Sequence, residues 1–239
     1  MLLGIVLLYV GVVLIVNGIW LIGQARAAAA ASQMPAMETV AVGAAAGRRL
    51  AERGLAGEAA AGQELAGEPV TTPPLLNAQA SPWYIQNREV AILNIFTGFI
   101  GVTIAILYAV LGSTASLATV GLPSVRSSGL ILLFAFTYLW VAYNQYVNAG
   151  GRALGWYSLF VAITAIPCGI YTLTAANLTT ADIWLGVDWF AWAVLWALFW
   201  ALLTLELPVA RITGWVAIIV GIGTSWALAI AILEGKLFF

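Results

Sequence analysis

The sequence contains no histidine and one cysteine, Cys168. Losing histidine removes the usual imidazole metal ligand, the usual general base and the usual switch near neutral pH. A single cysteine allows no internal disulfide and no cysteine metal cage. No metal or other cofactor is therefore expected. Charge is also scarce: 8% of residues are Asp, Glu, Lys or Arg, and the net charge is -1. That balance excludes a nucleic-acid partner. There is no Gly-x-x-x-x-Gly-Lys run to cradle phosphates. Without histidine no Ser-His-Asp constellation is possible, and no Ser–Lys substitute lies in the apolar stretches, so no enzyme is expected. The first residues lack a basic region and a small-residue cleavage site, so Met1 should open a retained helix.

What is present is apolar. Hydrophobic residues make up 63% of the chain and mean hydropathy is +1.00, which implies an all-α polytopic membrane protein. Six apolar stretches are long enough to cross a bilayer: Leu2–Gly23, Glu89–Leu111, Ser128–Asn148, Leu154–Thr174, Trp184–Leu205 and Ile212–Leu233. The organisation is a first transmembrane helix in 1–23, an Ala/Gly/Pro-rich insert in 24–87, and transmembrane helices two to six in 88–239. Within the insert, Met37–Glu68 has helix-forming Ala, Glu, Arg and Leu, but recurring Gly opposes a continuous helix. A linker that is partly helical on the membrane surface is expected there.

The fifth stretch carries five tryptophans, and four of them, Trp189, Trp192, Trp196 and Trp200, follow i, i+3, i+7, i+11. At ~100° per residue they share one face of a helix. Tryptophan usually anchors at the membrane interface. Trp192 and Trp196 instead fall roughly 12–18 Å into a core about 30 Å thick. An unpaired indole N–H there costs several kcal/mol, so each donor needs a polar group, a water or a passing solute. Either this face lines a narrow path or it packs as a closed aromatic core.

Acidic and basic residues are missing from the middle of every span. Ion-coupled transporters normally keep an ionisable group there, so passive passage of a neutral solute is favoured, although backbone-coordinated Na⁺ needs no carboxylate. Polar residues within spans are few: Asn17, Asn94, Thr137, Tyr138, Tyr143 and Asn144. A lone Asn such as Asn17 commonly bonds one helix to another. Positive charge sets orientation. With the N-terminus outside, cytoplasmic flanks hold Arg26, Arg88, Arg152 and Arg211 against Arg126 and Lys236 outside, so both termini are expected outside and the insert in the cytoplasm.

Several segments resemble the AmiS/UreI family of amide and urea channels. They are Leu7-Leu8-Tyr9-Val10-Gly11-Val12-Val13-Leu14-Ile15-Val16-Asn17-Gly18-Ile19, Phe136-Thr137-Tyr138-Leu139-Trp140-Val141-Ala142-Tyr143-Asn144 and Gly155-Trp156-Tyr157-Ser158-Leu159-Phe160-Val161-Ala162. Trp189-Phe190-Ala191-Trp192-Ala193-Val194-Leu195-Trp196 and Thr213-Gly214-Trp215-Val216-Ala217-Ile218-Ile219-Val220-Gly221 complete the set. The resemblance implies six transmembrane helices in three hairpins, one pore per protomer, a homo-hexamer, and a place in the bacterial cytoplasmic membrane among its lipids. It also implies a link to a cytoplasmic amidase or urease. By the same resemblance the pore is lined by Leu3, Leu7, Val10, Leu14 and Asn17, by Phe136 and Trp140, by Trp189, Trp192, Leu195 and Trp196, and by Val220. Trp196 and Leu195 would form its narrow point.

Two departures bear on the solute. Val220 stands where the family carries a polar or acidic residue in Ala-Ile-Ile-x-Gly, and Trp140 where a tyrosine is common. Together they point to short aliphatic amides such as acetamide beside urea. Acid-opened members of the family carry outer-loop histidines, absent here. Carboxylates in water titrate near pH ~4, so with only Asp182, Asp188 and Glu234 outside, flux should not switch on between neutral pH and about pH 5. The expected function is a passive channel for small neutral amides or urea. The alternatives are an acid-gated urea channel supplying a urease, an ion-coupled transporter, and a non-conducting structural or sensory protein.

Overall fold

Each apolar stretch satisfies its own backbone by coiling, the one solution open to a single chain segment in hydrocarbon. The computed structural model describes residues 1–32, 81–114 and 121–236, and six of its helices are long and apolar enough to span a membrane. They are α1 (Leu2–Ser32), α2 (Asn87–Thr114), α3 (Leu122–Val147), α4 (Arg152–Leu173), α5 (Thr180–Leu203) and α6 (Ala210–Leu233). No strand occurs among the described residues. The protein is a multi-pass membrane protein.

Local chemistry sets the ends. Thr179 caps α5: its side chain accepts from the Asp182 N–H, and Asp182 accepts from the Thr179 N–H, a reciprocal capping box. Pro occupies the first turn of α3, where its missing N–H costs nothing, and Asn148 closes that helix in the left-handed conformation. α1 runs nine residues beyond its expected end at Gly23, because Gln24-Ala25-Arg26 and the alanines after it are good helix formers. The chain divides into two units, Met1–Ile22 with Ile85–Phe239, and Gly23–Tyr84. In the second, a side chain at Gly23 would meet the Trp83 carbonyl oxygen at 2.5 Å. The expected surface segment Met37–Glu68 lies outside the described residues.

In the first unit α2 packs along α3, α4 along α5, and α1 along α6. Glycines at 4, 11 and 18 form one seam of α1. A Cβ on Gly11 would fall 2.8 Å from the Trp226 nitrogen, and one on Gly18 2.5 Å from the Gly214 oxygen. Small residues let the two backbones touch, as membrane helices prefer. α6 is not uniform: a π-helical turn at Gly221–Trp226 interrupts it. Such a turn frees carbonyls from the regular ladder. One of them, Gly223, accepts the Trp184 indole N–H at 3.3 Å.

Candidate solute pathway

Three helices point the same pattern at one space. α1 contributes Leu3, Leu7, Val10 and Leu14; α3 contributes Ser127, Ile131, Phe134 and Tyr138; α5 contributes Leu185, Trp189, Trp192 and Trp196. Every set is i, i+4, i+7, i+11, one stripe down a helix. Together they enclose most of a first cavity of about 100 Å³. A second cavity of about 210 Å³ lies among Asn17, Trp20, Leu21, Asn144, Gln145 and Phe199. Both are far larger than the ~10–15 Å³ that admits one water. The two linings share three residues, Leu14, Tyr138 and Trp196, the last position of each stripe.

The aromatics are packed against one another, yet space remains on both sides of them. The Phe134 ring centroid lies 5.8 Å from Trp189, 5.4 Å from Trp192 and 5.8 Å from Trp196. Trp189 and Trp192 meet edge to face at 5.0 Å. Rings in tilted and T-shaped contact hold each other's rotamers, which stiffens the wall.

The indole donors divide by partner. Trp192 Nε1 donates to Thr224 Oγ1 at 2.8 Å, and Thr224 in turn donates to the Val220 carbonyl at 2.7 Å. Trp192 is therefore served by α6. Trp189 lines the first cavity, and its Nε1 is buried without a partner among the described residues. Trp200 Nε1 is also buried and has no partner among the described residues, with its ring against Trp156. Tyr138 is 3% exposed, borders both cavities and makes no side-chain hydrogen bond to the described residues. Asn17 pairs with Asn94 of α2 in two side-chain hydrogen bonds. Arg126 stands at the first cavity with its guanidinium 4.6 Å over the Tyr171 ring, a cation–π contact.

Nine of the twelve residues expected at the pore border a cavity: Leu3, Leu7, Val10, Leu14, Trp189, Trp192, Leu195 and Trp196 the first, Asn17 the second. Three do not. Phe136 is turned outward and 49% exposed. Trp140 packs on Tyr157 of α4 at 5.8 Å. Val220 is buried in the core of the bundle. For α3 the correction is one of register: Phe134 and Tyr138 stand two residues before Phe136 and Trp140, and two residues turn a helix by ~200°. Spacing alone gives no signal for the choice, because Gly129, Leu133, Phe136 and Trp140 repeat the i, i+4, i+7, i+11 pattern of Ser127, Ile131, Phe134 and Tyr138. Asp188, expected near the outer end of the fifth span, is 2% exposed in the third turn of α5, and its Oδ2 has no hydrogen-bond partner.

Residues 75–236 match the profile of the AmiS/UreI family transporter. A Helicobacter pylori protein named acid-activated urea channel is 34% identical over 161 residues, covering 59% of this chain and 82% of that one. A Mycolicibacterium smegmatis protein named putative amidate substrates transporter protein is 41% identical over 111 residues, 46% of this chain and 50% of its own. Among solved structures, the cryo-EM structure of the Helicobacter pylori urea channel in its closed state matches with a TM-score of 0.65 at 25% identity, over 98% of each chain.

Proposed function

Because this chain belongs to the AmiS/UreI family of transporters, we propose that it is a passive channel for small neutral amides, short aliphatic amides and urea, and that it is not acid-gated. The observation that carries this reading is the pair of cavities meeting at Leu14, Tyr138 and Trp196. A flat neutral amide has two faces that slide on aromatic rings and edges that carry donors and acceptors. The Trp189 N–H, the Tyr138 hydroxyl and the Asn17 amide are spaced along the path to meet those edges one at a time. Several weak contacts in series suit conduction better than one tight site. A hydrated ion would lose its shell against Leu14 and the indole faces with nothing in exchange, so it is refused.

The two departures that point to short aliphatic amides, Val220 and Trp140, lie outside both cavities. The proposal therefore covers both solutes without ranking them. The balance of positive charge at the span ends supports an orientation with both termini outside. By the family resemblance the assembly is a homo-hexamer in a bacterial cytoplasmic membrane, working beside an amidase or urease. Absence of histidine supports pH-independence, and buried Asp188 is the one described carboxyl group that weighs against it.

Purified protein in liposomes tests this by stopped-flow uptake of urea, formamide, acetamide and propionamide at pH 7 and pH 5. Uptake above empty liposomes, within about two-fold at the two pH values, is the expected result, with Trp196→Ala changing it strongly while assembly is kept. A several-fold rise on acidification would establish the acid-gated alternative. Uphill uptake driven by an ion gradient would make the protein a secondary transporter, and no uptake above empty liposomes would make it a structural or sensory protein.

A further inference from the structure

One amide in the second cavity has its orientation set by a residue outside that cavity. Asn17 of α1 borders the cavity. Asn94 of α2 borders neither cavity and is fully buried. The two face each other: Asn94 Nδ2 donates to Asn17 Oδ1 at 2.8 Å, and Asn17 Nδ2 donates to Asn94 Oδ1 at 3.1 Å. Two facing amides can exchange these bonds in either of two senses, if both groups flip together. A third bond removes the choice. Asn94 Nδ2 also donates to the Val90 carbonyl at 2.8 Å. A carbonyl only accepts, so the Asn94 atom beside it must be nitrogen. The flipped pair would press two oxygens together and leave a buried Asn94 N–H without an acceptor.

Both Asn94 N–H groups are thereby used. The Asn17 oxygen and one of its N–H groups are held by Asn94. Its second N–H points away from the pair, and Asn17 is 6% exposed, so the cavity's contents are what that N–H can bond. We infer that Asn94 is a positioning residue that fixes Asn17 as a hydrogen-bond donor to the carbonyl oxygen of a neutral solute in the second cavity. This rests on the pathway proposed above. Asn94 never touches the solute; it decides which edge of Asn17 the solute meets.

The test compares acetamide with thioacetamide, which keeps the NH₂ donor and replaces the carbonyl oxygen by sulfur, a weak acceptor. Uptake is measured in liposomes carrying the wild-type protein, Asn94→Leu, Asn17→Leu, or both substitutions together. Losing one neutral hydrogen bond predicts acetamide flux lower by roughly three- to ten-fold in each variant, with thioacetamide flux held, so the ratio of the two falls. The double variant should be no worse than either single one, because the two residues act as a unit. It also guards against misfolding, since removing both partners orphans neither amide. An unchanged acetamide flux, or an equal fall for both solutes in the double variant, overturns the inference. A wild-type protein without flux above empty liposomes overturns the pathway itself, before any ratio is formed.

Discussion

Each buried polar group in the first unit poses one question: what satisfies it once water is gone. For Trp192 the answer is Thr224 of α6. The need for a partner could be read from the depth of the indole; the partner could not. Thr224 lies 32 residues on, and its place depends on the π-helical turn, which no local pattern announces. Trp189 has no hydrogen-bond partner among the described residues and lines the first cavity, as a donor to a passing solute would. Asp188 poses the same question more sharply. A carboxylate with an unpaired oxygen in a 2% exposed site is destabilising unless something unseen offsets it. Asp188→Asn keeps the shape and removes the ionisable group. Its melting midpoint in detergent should rise by roughly 2–8 °C, from ~1–3 kcal/mol of relieved penalty. A lower midpoint would show that the carboxyl group is held by a partner, and Asp188 would have to be reassigned.

At the scale of the element, the existence and order of the six spans were legible from length and hydropathy alone. Their faces were legible where aromatic or polar residues mark a stripe, as on α1 and α5. On α3 the marks mislead: aromatics stand at 134, 136, 138 and 140, and Gly129, Leu133, Phe136 and Trp140 keep the same i, i+4, i+7, i+11 spacing as Ser127, Ile131, Phe134 and Tyr138, so only the packing separates the two faces. The α1–α6 seam was equally open to reading, since Gly4, Gly11 and Gly18 recur every seven residues, yet its meaning needs the facing backbone. Gly18→Ala would place a methyl 2.5 Å from the Gly214 carbonyl oxygen. It should lower stability by about 1–3 kcal/mol, read as a lower midpoint in thermal unfolding. Gly129→Ala on α3 has nothing within 4 Å and is the matched control; it should leave the midpoint unchanged or raise it. Equal behaviour of the two would mean that α1 and α6 do not touch along this seam.

At the scale of the molecule, the first unit is built inside out. Phe96, Phe99, Ile163 and Ile219 are exposed, while Asn94, Thr137, Ser158 and Ser225 are buried. That distribution suits a bundle whose solvent is lipid on the outside and whose few polar groups are satisfied within. Composition announces the outer half of this arrangement. The inner half depends on three helices reaching one level together, which is a tertiary fact. Leu14, Tyr138 and Trp196 meet there, and the account stands on their being the narrow point of a conducting path.

The most direct measurement places a removable block at that level. Leu14→Cys is made with Cys168, the native thiol, changed to Ala. The protein is reconstituted and treated with a small methanethiosulfonate reagent, and labelling is verified by mass. Acetamide and urea flux should fall to the rate of empty liposomes and return when the adduct is reduced. Full labelling at position 14 with flux unchanged would contradict the account, because a solute that ignores a plug between the two cavities does not travel through them.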